Sequence, residues 1–461
     1  MTPNSRATPL DAPDAELDTK AAPTHARFWV VGMLFIAVGI NYMDRVNLSI
    51  ASTAIQADLG ISGVQLGWLM SAFTWAYLFA QIPGGWLLDR FGTQGFYALL
   101  ILIWSAATFA MGFGALPIIG SAAAVFGLLL VCRLLLGLAQ APSFPANAKI
   151  AAMWLPHHER ARGIGTYSIG QYVVIALMTP LLGYLMGIFG WSSVFFLTGG
   201  LGLVFAVYWW LRYRDPQNSR HANQAELDYI SDAGRFGQAV IAEEGKHKVS
   251  WVEVRFVMRH RRFWAICFTH FAATSILYFF LTWFIIYLEQ GLGLSTASVG
   301  VLASFPYLLA AVGVLFGGVL SDMLFKRRVS LVWSRKVPIV SGLAFSSLIF
   351  LCNFYESSPT VVVVILSLAF FANAYSNLGW TAMSDILPKK MIGTVGGVFN
   401  ICGNMAGILT PIMFGLFIDM NGNFHGAMYY LSIVAFAGAL CFLFLVDNLD
   451  EIDLSAMPER G

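Results

Sequence analysis

Charged residues are scarce in this chain of 461 residues, since Asp, Glu, Lys and Arg together make up only 11% of it. Soluble domains carry about 25%, and a soluble protein of this length is excluded because too little charge is available to cover its surface. Disorder is excluded as well, because 58% of the residues are hydrophobic and 15% are aromatic, whereas disordered chains are polar and poor in aromatics. The mean hydropathy of +0.70 indicates an integral membrane protein.

The chain also lacks the motifs of several functional classes. Its five cysteines lie in apolar stretches without a CxxC pair, so neither a disulfide framework nor a metal site is expected. There is no P-loop, GxSxG or HExxH motif, and the pair His157–His158 has no acidic partner at a telling spacing. We therefore expect no enzyme, no cofactor and no nucleic-acid partner. The first 26 residues lack the apolar segment of a signal peptide.

What the chain has instead is twelve apolar stretches of about 20 residues, the length of a membrane-spanning helix. They predict an all-α membrane protein with spans near 28–52, 64–88, 95–114, 119–147, 163–187, 192–212, 263–288, 297–320, 336–355, 360–384, 393–418 and 425–447. The polar stretch between the sixth and seventh spans reads as a solvated linker with short amphipathic helices. The predicted organisation is a tail (1–26), a six-helix bundle (27–212), a linker (213–262), a second six-helix bundle (263–447) and a tail (448–461).

The two halves echo each other in sequence. GGWLLDRFG follows the second span and GGVLSDMLFKRR follows the eighth, which places Asp89 and Asp322 at equivalent points. Parallel repeats of six spans are typical of transporters, and their substrate site lies near the midplane between the repeats.

The distribution of Lys and Arg predicts the orientation. When the loops are assigned alternately to the two sides, every Lys and Arg except Arg45 and Arg133 falls on the side of the termini. The charged residues in the loops on the other side are all acids, such as Asp58, Glu289, Glu356 and Asp419. Because cytoplasmic loops are enriched in Lys and Arg, both termini are predicted to be cytoplasmic.

Three charged residues remain inside the spans: Asp44, Arg45 and Arg133. A charge at the bilayer centre costs about 2.5–3.5 kcal/mol on insertion scales, so such residues usually face a cavity and mark function. Their sum of +1 leaves room for an anionic ligand. The alternative is that Asp44 merely neutralises an arginine and holds helices together.

Uncharged polar residues recur at helical spacing in the spans. Amides and phenols both donate and accept hydrogen bonds, which suits a hydroxyl-rich ligand; the alternative for any one of them is a bond between helices, worth about 0.6 kcal/mol. The residues are Tyr77, Tyr167 and Gln171 in the first half, and His270, Thr274, Tyr278, Asn373, Asn377, Trp380, Ser384, Asn400 and Asn404 in the second.

Several of these segments resemble a known family. The two loops with Asp89 and Asp322 and the R-x-x-x-G motif from Arg133 to Gly137 are similar to signatures of the major facilitator superfamily. The strings NYMDRVNLSIA, SAFTWAYLFAQIPGGWLLDRFG, APSFPANAK, ERARGIGTYSIGQY and GNMAGILTPI resemble its bacterial anion:cation symporters, the glucarate/galactarate and galactonate transporters. The resemblance runs from about residue 27 to 447. It implies two six-helix bundles that rock about a central site, and monomeric, proton-driven uptake of a small carboxylate across the bacterial inner membrane.

The resemblance also implies roles for individual residues, each of which except Gln140 matches the family's motif. The proton-coupling and charge network comprises Asp44, Arg45, Arg133 and Gln140. The gating loops contain Gly85, Asp89, Arg90 and Asp322. Substrate binding falls to Arg45, Tyr77, Gln171, Asn377, Trp380 and Asn400.

One position departs from the family, because Gln140 stands where relatives carry a carboxylate. Gln140 lies two helical turns from Arg133 on one face, so the missing acid is expected to pair with Arg133 or to carry a proton. Three accounts stay open: Asp44 alone couples transport, the protein is a facilitator, or the glutamine is an engineered substitution that traps one state. The substrate could also be another organic anion such as tartrate, phthalate or an aromatic acid, which Phe279, Phe280 and Phe284 would suit. A non-transporting nutrient sensor is the remote alternative.

Overall fold

The computed structural model describes residues 23–230, 250–376, 378–388 and 391–454, and within these it contains helices and no strand. We number the twelve long helical segments span 1 to span 12. In chain order they are Ala26–Leu59, Gly63–Phe91, Gln94–Met111, Ala122–Gln140, His157–Phe189, Ser192–Arg212, Arg261–Thr282, Ser304–Lys326, Leu331–Ser346, Pro359–Ser376 with Gly379–Ile386, Ile392–Asn404 with Ala406–Asn421, and His425–Leu445. Eleven helical stretches in the described residues are long and apolar enough to cross a membrane; span 2 is not among them, although it has 29 residues.

Some span boundaries differ from the prediction. The predicted fourth span is divided, because span 4 ends at Gln140 and a separate helix, Ser143–Trp154, follows. Pro142 lies between them, and proline has no backbone N–H with which to continue a helix. Span 9 continues as the 3₁₀ helix Ser347–Phe354, and span 11 is interrupted at Met405.

In its described part, the linker contains the helix Trp251–Met258 and a helical stretch at 224–230. It is also fastened to the first bundle. The buried carboxylate of Glu226 accepts hydrogen bonds from the backbone amides of Ala26 and Arg27, both at 3.1 Å, and forms a salt bridge of 3.2 Å with the Arg27 side chain. Arg27 also pairs with Glu159 at the start of span 5, at 2.8 Å. The start of span 1 therefore depends on a linker residue for its N-terminal hydrogen bonds.

The spans pack as two bundles. In the first bundle the largest contacts join spans 3 and 6, 1 and 5, and 2 and 4; in the second they join spans 8 and 10, 7 and 12, and 9 and 10. Between the bundles, span 2 packs on span 11, span 5 on span 8 and span 1 on span 7. This arrangement confirms the predicted fold class.

The two ends of the molecule differ in charge. We call the end with Asp58, Glu289, Glu356 and Asp419 the acidic end, and the end with the start of span 1, the linker and the last turn of span 8 the basic end. Contacts between the bundles are concentrated at the acidic end. There the carboxylate of Asp419 accepts the backbone amides of Gly63 (2.8 Å) and Val64 (2.9 Å), and the side chains of Gln56 and Gln290 bond at 3.1 Å. The acidic end is therefore closed.

Candidate functional site

The three charges predicted inside the membrane lie together in the first bundle. Asp44 and Arg45 occupy the middle of span 1, Arg133 lies in span 4, and all three are buried. The guanidinium of Arg133 donates to the backbone carbonyls of Asp44 (3.4 Å) and Met70 (3.3 Å). Arg133 thereby connects spans 1, 2 and 4 through their backbones.

Asp44 does not hold these helices together by an ion pair. In the part of the chain that the structure describes, neither carboxylate oxygen of Asp44 has a hydrogen-bond partner, and Asp44 forms no salt bridge within 4.0 Å. The carboxylate interacts with Arg133 only at longer range, and the Thr108 hydroxyl lies near it. The alternative of a purely structural ion pair is therefore not supported.

Arg45 is held by aromatic rings and an amide. Its guanidinium carbon lies 4.7 Å from the ring centre of Tyr42, 4.6 Å from Phe73 and 5.2 Å from Tyr77. Its Nε donates to Oε1 of Gln140 at 3.2 Å. Aromatic faces attract cations, and among the described residues the guanidinium contacts three rings and an amide and pairs with no carboxylate.

Gln140 pairs with Arg45 and not with Arg133, the arginine to which the sequence assigned the acid that it replaces. Gln140 is fully buried, and its amide nitrogen donates to the backbone carbonyl of Asn41 at 3.3 Å while its oxygen accepts from Arg45. Seven residues of helix rise by about 10 Å, so two side chains that share a face can still be too far apart to touch. The arginine that faces position 140 comes from span 1.

The polar residues of the second bundle form another cluster. Trp380 packs edge-on against Phe399, with ring centres 4.9 Å apart, and His270 stacks on the same ring at 4.2 Å. Asn404 donates to the backbone carbonyl and the side-chain oxygen of Asn400, at 2.9 and 3.1 Å. Trp380 is 44% exposed. Asn377 lies outside the described residues.

Tyr278 joins the two clusters. Its hydroxyl lies 3.5 Å from the side-chain oxygen of Asn404 and 3.4 Å from the hydroxyl of Thr74 in span 2. It also interacts electrostatically with Arg45 and Arg133. The cationic cluster of the first bundle and the amide cluster of the second thus meet at the bundle interface. Gln171 in span 5 is half-buried.

The residues predicted in gating loops lie in helices instead. Gly85, Asp89 and Arg90 belong to the last turns of span 2, and Asp322 lies near the end of span 8. Gly84 allows a close approach of span 2 to Pro142, whose ring would overlap a Cβ atom at this position. The guanidinium of Arg90 lies 5.4 Å from the Trp86 ring centre.

Sequence reasoning missed the residues that support these side chains. Tyr42 precedes Arg45 by three residues and Phe73 precedes Tyr77 by four, so helical spacing around the charged residues could have found both. Phe399 adjoins Asn400 in sequence but belongs to an apolar stretch, and no feature of the sequence distinguishes it from its neighbours. The aromatic residues offered for an aromatic substrate are core residues, since Phe280 stacks on Phe370 at 3.9 Å and the side chains of Phe279, Phe280 and Phe284 are fully buried.

Twelve spans in two bundles with a buried cationic site at their interface define a polytopic membrane transporter. Comparison with known proteins specifies the class. The family model of the Major Facilitator Superfamily matches residues 34–411. The chain is 39% identical over 440 residues to a probable galactarate/D-glucarate transporter of Bacillus subtilis (strain 168), covering 95% of both chains.

A D-galactonate transporter of Escherichia coli O6:H1 is 37% identical over 436 residues, which cover 94% of this chain and 98% of the relative. The crystal structure of a D-xylose–proton symporter shares the fold, with a TM-score of 0.69 at 14% identity, covering 92% of this chain and 98% of that one. The chain belongs to the major facilitator superfamily. It is therefore a transporter and not an enzyme, as the sequence predicts.

Proposed function

We propose that the protein takes up a sugar acid of the glucarate, galactarate or galactonate type by proton symport across the bacterial inner membrane. The observation that carries the proposal is the buried Arg45, whose charge is held by three rings and the Gln140 amide and by no carboxylate among the described residues. A guanidinium in this setting is available for the carboxylate of a substrate, which it binds in a bidentate manner.

The neighbouring groups favour a polyhydroxylated chain. Tyr77 and Gln171 from the first bundle, and Trp380, Asn377 and Asn400 from the second, supply phenol, amide and indole groups that read hydroxyls or cover the carbon chain. The relatives named for galactarate, D-glucarate and D-galactonate agree with this substrate class.

The orientation follows from the charged ends. By the positive-inside rule, we assign the basic end to the cytoplasm and the acidic end to the periplasm. The closed acidic end supports the assignment of this conformation to one that faces the cytoplasm. The bundles 27–212 and 263–447, joined by the linker 213–262, rock about the site in a monomer, and the helix ends with Gly85, Asp89, Arg90 and Asp322 approach one another when the cytoplasmic side closes.

Asp44 is the proton site of this proposal, since Gln140 cannot titrate. Its carboxylate lies in the interior beside Arg45 in sequence and within electrostatic range of Arg133. An ionised Asp44 offsets one of the two arginine charges, and protonation leaves both available to an anionic substrate. Proton and substrate binding therefore favour each other.

Counterflow tests the substrate class. Proteoliposomes preloaded with unlabelled sugar acid are diluted into labelled glucarate, galactarate, galactonate or a hexuronate, with tartrate and phthalate as the competing anions. We expect exchange of at least one sugar acid and none of phthalate. Exchange of phthalate or tartrate in preference to every sugar acid would reject the proposed class.

A further inference from the structure

A second cationic site lies at the basic end, away from the bundle interface. A cavity of about 400 Å³ opens between the start of span 1, the end of span 6 and the linker. Its lining residues are Thr24, His25, Ala26, Trp29, Tyr208, Arg212 and His221. The cavity does not touch any residue of the transport site, so the proposed substrate does not account for it.

The chemistry of the lining suits a phosphate group. Arg212 supplies a positive charge and the two imidazoles supply N–H donors, and the lining contains no acidic side chain. Thr24 contacts the carboxylate of Glu226, but that carboxylate is engaged with Arg27 and the first amides of span 1. An oxyanion in the cavity would therefore meet cations without a competing carboxylate.

The aromatic residues place the cavity at the membrane surface. The Trp29 ring lies 6.3 Å from that of Tyr208 and 5.7 Å from that of His221, so the three rings form one wall. Tryptophan and tyrosine concentrate at the level of the lipid headgroups. Arg212 is the last residue of span 6, where a long side chain reaches the bilayer surface.

An apolar stripe leads from the cavity along span 6 towards the bilayer core. Val204, Tyr208 and Arg212 follow one another at four-residue spacing and so share one helix face. Val204 is 69% exposed, and Leu201 and Leu211 beside this face are exposed as well. This arrangement matches a phospholipid, because the pocket suits its phosphate and the exposed apolar stripe below suits its acyl chains.

We propose that this cavity binds the phosphate of an anionic phospholipid of the cytoplasmic leaflet. The headgroup contacts Arg212, His25 and His221, and the acyl chains follow the stripe on span 6. Because His221 belongs to the linker and His25 precedes span 1, the bound lipid fastens the linker to the first bundle. Basic pockets between spans on the cytoplasmic side are typical sites for such headgroups.

Native mass spectrometry of the full-length protein in detergent tests the proposal. The protein is titrated with phosphatidylglycerol, phosphatidylcholine or inorganic phosphate, and the variants are Arg212→Gln and His221→Gln. A basic side chain in contact with the phosphate of a bound anionic lipid is expected to contribute about fivefold in binding. We expect phosphatidylglycerol to bind the wild type more tightly than phosphatidylcholine. Arg212→Gln should lose about fivefold in that affinity, and His221→Gln, which removes the imidazole from the cavity, should lose affinity as well.

The matched control is Arg327→Gln, which removes an exposed positive charge at the same end but outside the cavity. We expect it to bind phosphatidylglycerol as the wild type does. An equal loss in Arg212→Gln and Arg327→Gln, or no loss in either cavity variant, would overturn the proposal. Inorganic phosphate that binds as tightly as phosphatidylglycerol would overturn the assignment to a lipid. Unchanged counterflow shows that each variant is folded.

Discussion

The Nε of Arg45 donates a hydrogen bond to Oε1 of Gln140, 3.2 Å away, in the buried interior of the first bundle. Relatives are expected to carry a carboxylate at position 140, which would form an ion pair with this guanidinium. The amide orients Arg45 but does not neutralise it. In the proposed mechanism, the positive charge of Arg45 is left to the substrate, and proton coupling is left to Asp44.

Gln140→Glu should restore competition for Arg45. A carboxylate at this position pairs with the guanidinium, so we expect the affinity for the sugar acid at neutral pH to fall by about tenfold, or about 1.4 kcal/mol. The affinity should recover at acidic pH, where the new carboxyl is neutral. Isothermal calorimetry across this pH range measures the effect. Gln140→Met, which adds no charge, should weaken binding relative to the wild type by the same factor at each pH. A loss of affinity in Gln140→Glu that does not change with pH would contradict this account.

Arg45→Lys should impair binding although the charge is kept. Lysine cannot stack flat on Tyr42 and Phe73 or bind a carboxylate in a bidentate manner. We expect the affinity to fall by about tenfold or more, measured by calorimetry with the sugar acid that counterflow identifies. Arg255→Lys, at an exposed position in the linker helix Trp251–Met258, should bind like the wild type. Equal affinities for Arg45→Lys and the wild type would show that Arg45 does not contact the substrate.

Gly415→Ala should oppose closure of the acidic end. A Cβ atom on Gly415 would overlap the backbone carbonyl of Gly63 in span 2, whereas one on Gly397 in the same span would meet no atom within 4 Å. Overpacking of this kind costs about 1–3 kcal/mol, enough to shift the conformational equilibrium by tenfold or more. We expect counterflow to slow in Gly415→Ala and to stay unchanged in Gly397→Ala. Equal rates in both variants would mean that the close approach of spans 2 and 11 is not part of the cycle.

Glu289→Gln should change the pH dependence of stability. Glu289 lies outside the membrane-spanning segments at the acidic end, and burial raises its pKa, which the hydroxyls of Thr53 and Thr296 partly oppose. The folded state therefore holds the proton at pH values where the unfolded chain releases it. Stability falls as the pH rises through the window between the ordinary pKa and the raised one.

The glutamine variant removes this loss, so its melting temperature relative to the wild type should increase from mildly acidic to neutral pH. Thermal unfolding of the purified protein measures the difference. Glu356→Gln makes the same chemical change at the same end, where the carboxylate pairs with His425 at 2.9 Å, and should not reproduce the gain. A constant difference between Glu289→Gln and the wild type at all pH values would contradict the assigned burial.

The fold could be predicted from the sequence because each pattern that indicates it is carried by many residues. Twenty-residue apolar stretches and the one-sided distribution of Lys and Arg each involve dozens of residues, so a few wrong boundaries do not change the topology. Asp44, Arg45 and Arg133 could be predicted because a charge inside a span is costly and usually marks a functional site. Their partners could not, because the pairing of Arg45 with Gln140 depends on the distance between spans 1 and 4. Likewise, the stacking of His270 on Phe399 requires Gly403, which leaves room for the imidazole.

Accumulation of labelled sugar acid in proteoliposomes tests the central claim, proton-coupled uptake through Asp44, most directly. A pH gradient of about one unit supplies about 1.36 kcal/mol per proton, enough for about tenfold accumulation with one coupled proton. We predict that the wild type accumulates the substrate under an inward proton gradient. Asp44→Asn should exchange the substrate in counterflow but accumulate none. Equal accumulation by Asp44→Asn and the wild type, or no response of the wild type to the gradient, would contradict the account.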